Sequence, residues 1–152
     1  GNTRRSTYLT KEKGKKLILY HVWDFDLAFG NADYFDGAVG NGPTGWWVKD
    51  YGPFGKRSGW YYRMFEDPAF KQKLKARWEE VFPQLERIPE YIDLMVSEMQ
   101  DGPAKNFSKW NILNKYVWPN VVVTGSYFKE IDYLKNYYTD RLNWLDTQIR
   151  SL

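Results

Sequence analysis

Between Asp24 and Ser58 the chain has no helical period. Glycine recurs at Gly30, Gly37, Gly40, Gly42, Gly45, Gly52 and Gly55, with Pro43 and Pro53 among them. Loops longer than about 12–15 residues are uncommon in compact domains, where they are usually functional or disordered. This one also carries Phe29, Tyr34, Phe35, Trp46, Trp47, Tyr51 and Phe54. So much aromatic surface argues for an ordered loop packed on a body. The regular elements must therefore come from the sequence on either side.

On the N-terminal side, residues 6–23 read as a hairpin. Ser6 to Thr10 is β-prone, Lys11-Glu12-Lys13-Gly14-Lys15 is a polar turn, and Lys16 to Trp23 is a second, apolar strand. From Ser58 onward the pattern is helical. Ser58 can cap a short helix through Glu66, and Asp67-Pro68 fits an N-cap followed by Pro at the first helical position. Phe70, Leu74, Trp78 and Val81 then recur at spacings of 4, 4 and 3, which predicts a helix ending near Phe82-Pro83. Leu85, Ile88, Ile92, Met95 and Met99 form the next stripe; Pro89 places its start and Asp101-Gly102-Pro103 its stop. Residues 104–120 read as a short helix and a loop. Ser126 is then expected to cap a long last helix striped by Ile131, Leu134, Tyr138, Leu142, Leu145, Ile149 and Leu152. The predicted fold is α+β and predominantly helical: an N-terminal β-hairpin, a long Gly- and aromatic-rich loop, then four or five helices.

Composition removes several chemistries. With 152 residues the chain suits one domain. It has no Cys, which excludes disulfides, thiolate nucleophiles and Cys-ligated metal sites. A single His, His21, excludes multi-His metal sites. A net charge of +3 is too weak to point to nucleic acid. No run approaches the roughly 18 apolar residues of a membrane span. Eight Trp, twelve Tyr and nine Phe are the unusual feature, and they suit either an aromatic-heavy core or a sugar- or base-stacking surface. The chain opens on Gly1-Asn2 without a signal peptide and reads as an excised piece with a tag-derived Gly1, which leaves its compartment open.

The best site candidate is Trp23-Asp24-Phe25-Asp26, where the apolar strand meets the long loop. If extended geometry continues, both carboxylates point to one side. Paired carboxylates at a strand end suit Mg²⁺, which wants hard oxygen ligands and keeps several waters. Asn31, Asp33 and Asp36 can supply further oxygens; the competing reading is that Asp24 and Asp26 cap turns. Gly40 to Gly45 fits G-x-G-x-x-G by letters, but it does not directly follow a strand, contains Pro43 and opens no clear helix, so a dinucleotide site is rejected. An EF-hand starting at Asp24 fails because Ala28 fills a ligand position and Phe35 the place of the bidentate Glu. His21 reads as a hydrogen-bonded structural residue, Arg4-Arg5 as a solvated terminus, and Trp46-Trp47 as core packing before a stacking platform.

The run His21-Val22-Trp23-Asp24-Phe25-Asp26-Leu27-Ala28-Phe29-Gly30-Asn31 closely resembles the WDFDLAFGN signature of the spore-coat protein H (CotH) kinase-like family. The similarity continues through Ala32-Asp33-Tyr34 and Gly45-Trp46. It returns at Asp67-Pro68-Ala69-Phe70, Arg77-Trp78, Asn106 to Trp110, Trp118-Pro119-Asn120, Asp132 to Lys135 and Arg141 to Asp146. The resemblance implies an atypical protein kinase that transfers phosphate from ATP to Ser or Thr, with spore-coat proteins as substrates and many members secreted or on the bacterial cell surface. It implies a kinase-like fold in which Asp24 holds Mg²⁺ (or Mn²⁺) like the Asp of a DFG motif, Asp26 assists, and Asn31 belongs to the cofactor site. An N-terminal lobe, a phosphate-binding Lys with its Glu, and a catalytic Asp should precede that motif, and only 23 residues precede Asp24. Residues 1–152 are therefore expected to be the C-terminal lobe of such a domain, inactive alone, with Asn2 as a candidate for the catalytic-loop tail. The expected partners are the missing lobe, a Ser/Thr protein substrate and carbohydrate, with no nucleic acid and no membrane span. Truncation should leave an apolar hairpin prone to self-association. The alternative is a catalytically dead, aromatic-rich surface module that binds carbohydrate or a partner protein.

Overall fold

The computed structural model describes residues 6–33, 42–50 and 60–152. Strands β1 (Thr7–Lys11) and β2 (Leu17–Val22) form an antiparallel hairpin, with Leu9 opposite Leu19 and Thr10 opposite Ile18. A register shift separates these pairs from Thr7 opposite Val22. Lys15 N–H bonds to the Glu12 carbonyl at 3.1 Å and closes the turn. Every residue from Tyr8 to His21 is exposed, so neither face of the hairpin is covered. Such two-stranded units are marginal in water by themselves.

The described residues of the glycine-rich stretch include two short regular segments. Asp26–Phe29 forms a single 3₁₀ turn, and α1 (Trp47–Asp50) is a short helix inside it. Helix α2 (Trp60–Met64) falls within the helix expected over 58–66, while Ser58 lies outside the described residues. Four helices of eight residues or more follow: α3 (Pro68–Leu85), α4 (Ile88–Glu98), α5 (Gly102–Lys109) and α6 (Tyr127–Arg150).

Asp67 caps α3 as its sequence requires: Oδ1 accepts from Ala69 N–H at 2.8 Å, and Pro68 takes the first helical position. The helix outlasts its expected stop at Pro83. A proline removes one backbone donor, but Glu86 N–H still reaches the Phe82 carbonyl at 3.0 Å, and Leu85 packs against the core. Helix α4 stops at Glu98, with Gln100 in left-handed backbone at φ 49°, before the expected breaker is reached; Gly102-Pro103 instead opens α5. Ser126 occupies the N-cap of α6 but makes no side-chain cap bond. Thr124 and Glu130 tie that end instead: Thr124 donates its backbone N–H and its Oγ1–H to Glu130 Oε1 at 3.1 and 2.7 Å. A carboxylate in the first turn also suits the helix dipole.

Helix α6 has 24 residues and organises the molecule. One of its faces carries Tyr138, Leu142 and Ile149 toward α3, where Trp78, Leu142 and Ile149 form the buried cluster, with Leu74, Phe82, Leu85 and Leu145 around them. Each such side chain contributes roughly 1.5–3 kcal/mol by leaving water. Polar bonds fix the pairing. Trp78 Nε1 donates to Asp146 Oδ1 and Tyr138 donates to the Leu85 carbonyl, both at 2.8 Å. Lys135 pairs with Asp93 of α4 at 2.6 Å. A second stripe of α6 (Tyr133, Tyr137, Arg141 and Trp144, spaced 4, 4 and 3) faces the glycine-rich segment.

Candidate functional site

Strand geometry stops at Val22, before the carboxylates. Asp24 sits at φ 59°, in the left-handed region, and Phe25 at φ −105°, ψ 4°. The expected extended run through Asp24 and Asp26 is thus replaced by a reversal and a 3₁₀ turn. Period-two alternation ends with the strand, so it no longer sets the direction of the two side chains. Left-handed backbone is uncommon outside glycine, and Asp is among the residues that tolerate it best. Both carboxylates are exposed. Ala28 N–H bonds to the Phe25 carbonyl at 3.0 Å and closes the turn.

The turn ends on Gly30 at φ 86°, and a Cβ there would collide with the Tyr137 ring. Tyr133 of α6 donates its hydroxyl to the Gly30 carbonyl at 3.0 Å. Burial raises the pKa of both Tyr133 and Tyr137, which keeps them protonated donors. Asn31 follows. Its Oδ1 accepts from the backbone N–H groups of Val121 and Val122, each at 2.9 Å, and its Nδ2 donates to the Val122 carbonyl at 3.3 Å. Asp33 N–H bonds to the Pro119 carbonyl and Asp33 Oδ2 accepts from the Tyr116 hydroxyl, both at 2.8 Å. That bond to the carboxylate raises the Tyr116 pKa. Asn31 Oδ1 and Asp33 Oδ2, read from sequence as further ligand candidates, are engaged with the 116–122 loop.

Further along, Arg141 Nη1 donates to the carbonyls of Pro43 and Gly45 at 2.9 and 2.8 Å, with its guanidinium over the rings of Trp144 and Trp47. Burial lowers its pKa. Tyr137 donates to the Gly42 carbonyl at 3.3 Å. Trp46 packs edge-on against Phe65 and Trp144 and joins the core. His21, expected to be a hydrogen-bonded structural residue, is instead exposed and edge-on to Tyr20, its ring centroid 4.2 Å away. Asn2, Arg4, Arg5, Asp36, Gly40 and Asn41 lie outside the described residues.

Among the described residues no group of three or more His, Asp or Glu could enclose a metal ion. Asp24 and Asp26 nevertheless fit Mg²⁺ by donor chemistry. That ion is held by one or two carboxylates plus waters and substrate phosphates rather than by an all-protein cage. Sequence reasoning named the two carboxylates as candidates and did not single out Tyr133 or Tyr137. The signal was present as two tyrosines four residues apart, beside the aliphatic stripe of α6 rather than on it. Among the described residues no helix is long and apolar enough to cross a membrane.

No curated protein and no solved structure matches the chain. A family described as CotH kinase protein matches residues 2–145, from before the hairpin to the last turns of α6. That span takes in the Asp24–Asp33 turn, both of its anchors and the helical core, and the chain therefore belongs to the CotH kinase protein family.

Proposed function

We propose that residues 1–152 form the metal-binding, C-terminal part of a CotH-type atypical protein kinase, which transfers phosphate from ATP to Ser or Thr of surface or coat proteins. The observation that carries this reading is Asp24: an exposed carboxylate in left-handed backbone, two residues past an apolar strand, leading into a turn anchored from two sides. Strained backbone persists only where the surroundings over-determine it, and it clusters at functional sites. Asp24 is the proposed principal ligand of Mg²⁺ or Mn²⁺ and Asp26 the second. Asp24 and Asp26 would hold the ion, which would supply positive charge to offset the charge developing during phosphoryl transfer. The phosphate-binding Lys, its Glu and the catalytic Asp are proposed to lie on sequence before Gly1, in a lobe that covers the hairpin. An extracytoplasmic or cell-surface location goes with this reading.

The test is ATP-dependent phosphate incorporation into Ser or Thr by the full-length parent. Asp24→Asn keeps side-chain shape and tolerates the same backbone, so it should abolish incorporation without unfolding the protein. Undiminished incorporation by Asp24→Asn would overturn the assignment.

One observation favours the dead-module alternative. Trp23, Trp60, Trp110 and Trp118 are each more than half exposed, and flat indoles suit sugar rings. A parent inert toward ATP, whose glycan or partner binding is lost in Trp118→Ala, would establish it.

A further inference from the structure

We propose that Asn31 and Tyr133 are positioning residues: they fix the turn that carries Asp24 and Asp26, Asn31 from the 121–122 backbone and Tyr133 from α6, with the Tyr137 ring as the stop against which Gly30 rests. This rests on the metal reading above and assigns Asn31 a different task from ligation. Its Oδ1 already accepts two N–H groups and its Nδ2 donates to a carbonyl. A carbonyl oxygen has two lone pairs, so none is left for a metal. The one O–H of Tyr133 is committed to the Gly30 carbonyl. The anchors act on adjacent residues, Gly30 and Asn31, immediately after the 3₁₀ turn Asp26–Phe29. They come from segments about ninety and a hundred residues away in sequence, since Asn31 reaches Val121 across 90 positions and Tyr133 reaches Gly30 across 103. A turn of four residues cannot by itself hold Asp26, or Asp24 two residues before it, rigidly, because 3₁₀ hydrogen bonds are poorly aligned. Outer anchors of this kind orient metal ligands and typically govern affinity by 10–100-fold.

The experiment has two readouts on this chain. Mn²⁺ binding is followed by loss of the free-ion electron paramagnetic resonance signal, and turn integrity by amide exchange at Ala28, whose N–H closes the turn on Phe25. Asn31→Ala and Tyr133→Phe should each weaken Mn²⁺ binding roughly tenfold and accelerate exchange at Ala28. Asn31→Asp retains the acceptor oxygen and should restore slow exchange. Leu74→Ala, which loosens the α3 core away from the turn, should lower the melting temperature and change neither readout. Unchanged Ala28 exchange in Asn31→Ala and Tyr133→Phe overturns the proposal whatever the metal does. Equal Mn²⁺ binding by Asp24→Asn and the natural chain overturns the metal reading separately, and the exchange data still decide whether the anchors hold the turn.

Discussion

The Tyr137 ring occupies the space that a Cβ on Gly30 would need, and Gly30 stands at φ 86° where only glycine is unstrained. The signature glycine after the 3₁₀ turn is thus set by a helix more than a hundred positions downstream.

Gly30→Ala should therefore destabilise the fold by about 2–4 kcal/mol, combining left-handed strain with overpacking. Gly14 has similar backbone, φ 76°, but open space around it. Gly14→Ala should cost only about 1–2 kcal/mol, from the strain alone. Urea unfolding of both variants checks the difference, and equal losses would remove the steric argument.

Asp24 offers a related comparison. Asp24→Ala places a poorly suited residue at φ 59°, whereas Asp24→Asn does not. Neither change removes a buried contact, since Asp24 is exposed. Asp24→Ala should be the less stable by about 1 kcal/mol, read from thermal midpoints; an equal or higher midpoint would show that the backbone there relaxes freely.

Trp78 joins α3 to α6 both by burial and by its bond to Asp146. Trp78→Ala should cost about 3–5 kcal/mol. Trp78→Phe keeps much of the ring and leaves Asp146 its pairing with Arg150, so about 1–2 kcal/mol is expected, from one lost hydrogen bond and a modest loss of volume. Denaturant titration followed by indole fluorescence separates the two values.

Burial raises the pKa of Tyr133, Tyr137 and Tyr138 above the usual phenol value near 10. The folded chain then holds these protons more tightly than the unfolded chain, so the unfolding free energy falls as pH rises through that range. Their contribution is fully present below about pH 10 and is lost as pH climbs toward the raised values. Thermal midpoints should hold steady up to about pH 9.5 and then drop, together with the rise of tyrosinate absorbance. A midpoint that climbs above pH 10 would contradict the sign.

The hairpin leaves Leu17, Ile18, Leu19 and Tyr20 exposed, with residues on both of its faces. Its outer edges also offer backbone groups for pairing. Light scattering at micromolar concentration should detect self-association of the chain, reduced by Leu19→Lys. A clean monomer whose hairpin amides resist exchange would show that no cover is needed.

Much of this architecture is legible from sequence because local chemistry decides it. The Asp67-Pro68 cap, the Pro89 start of α4 and the apolar spacing of α6 are short-range signals that the fold leaves intact. Pro83 misleads because packing of Leu85 outweighs one missing donor. Ser126 misleads because its side chain makes no cap bond; Thr124 and Glu130, on either side of it, are joined to each other instead. In the candidate site the carboxylates are visible as a motif, but their extended geometry is not realised, since the left-handed turn at Asp24 is not specified by residue type. The anchors Tyr133 and Val121 are invisible for a different reason: contacts across ninety residues or more leave no period in a single sequence.

Ser6 is buried and every residue from Tyr8 to His21 is exposed, so the hairpin stands on two feet, Ser6 on one side and the Trp23–Asp24 junction on the other. Among the described residues no side chain from Tyr8 to His21 is buried, so the ribbon is held only at its feet. Beyond Asp24 the chain is bolted down at Gly30 and Asn31. The torsions between these fixtures must absorb whatever motion the ribbon makes. Asp24 is the joint between the exposed ribbon and the anchored turn, so its backbone is where any displacement of Leu19 or Tyr20 would be taken up.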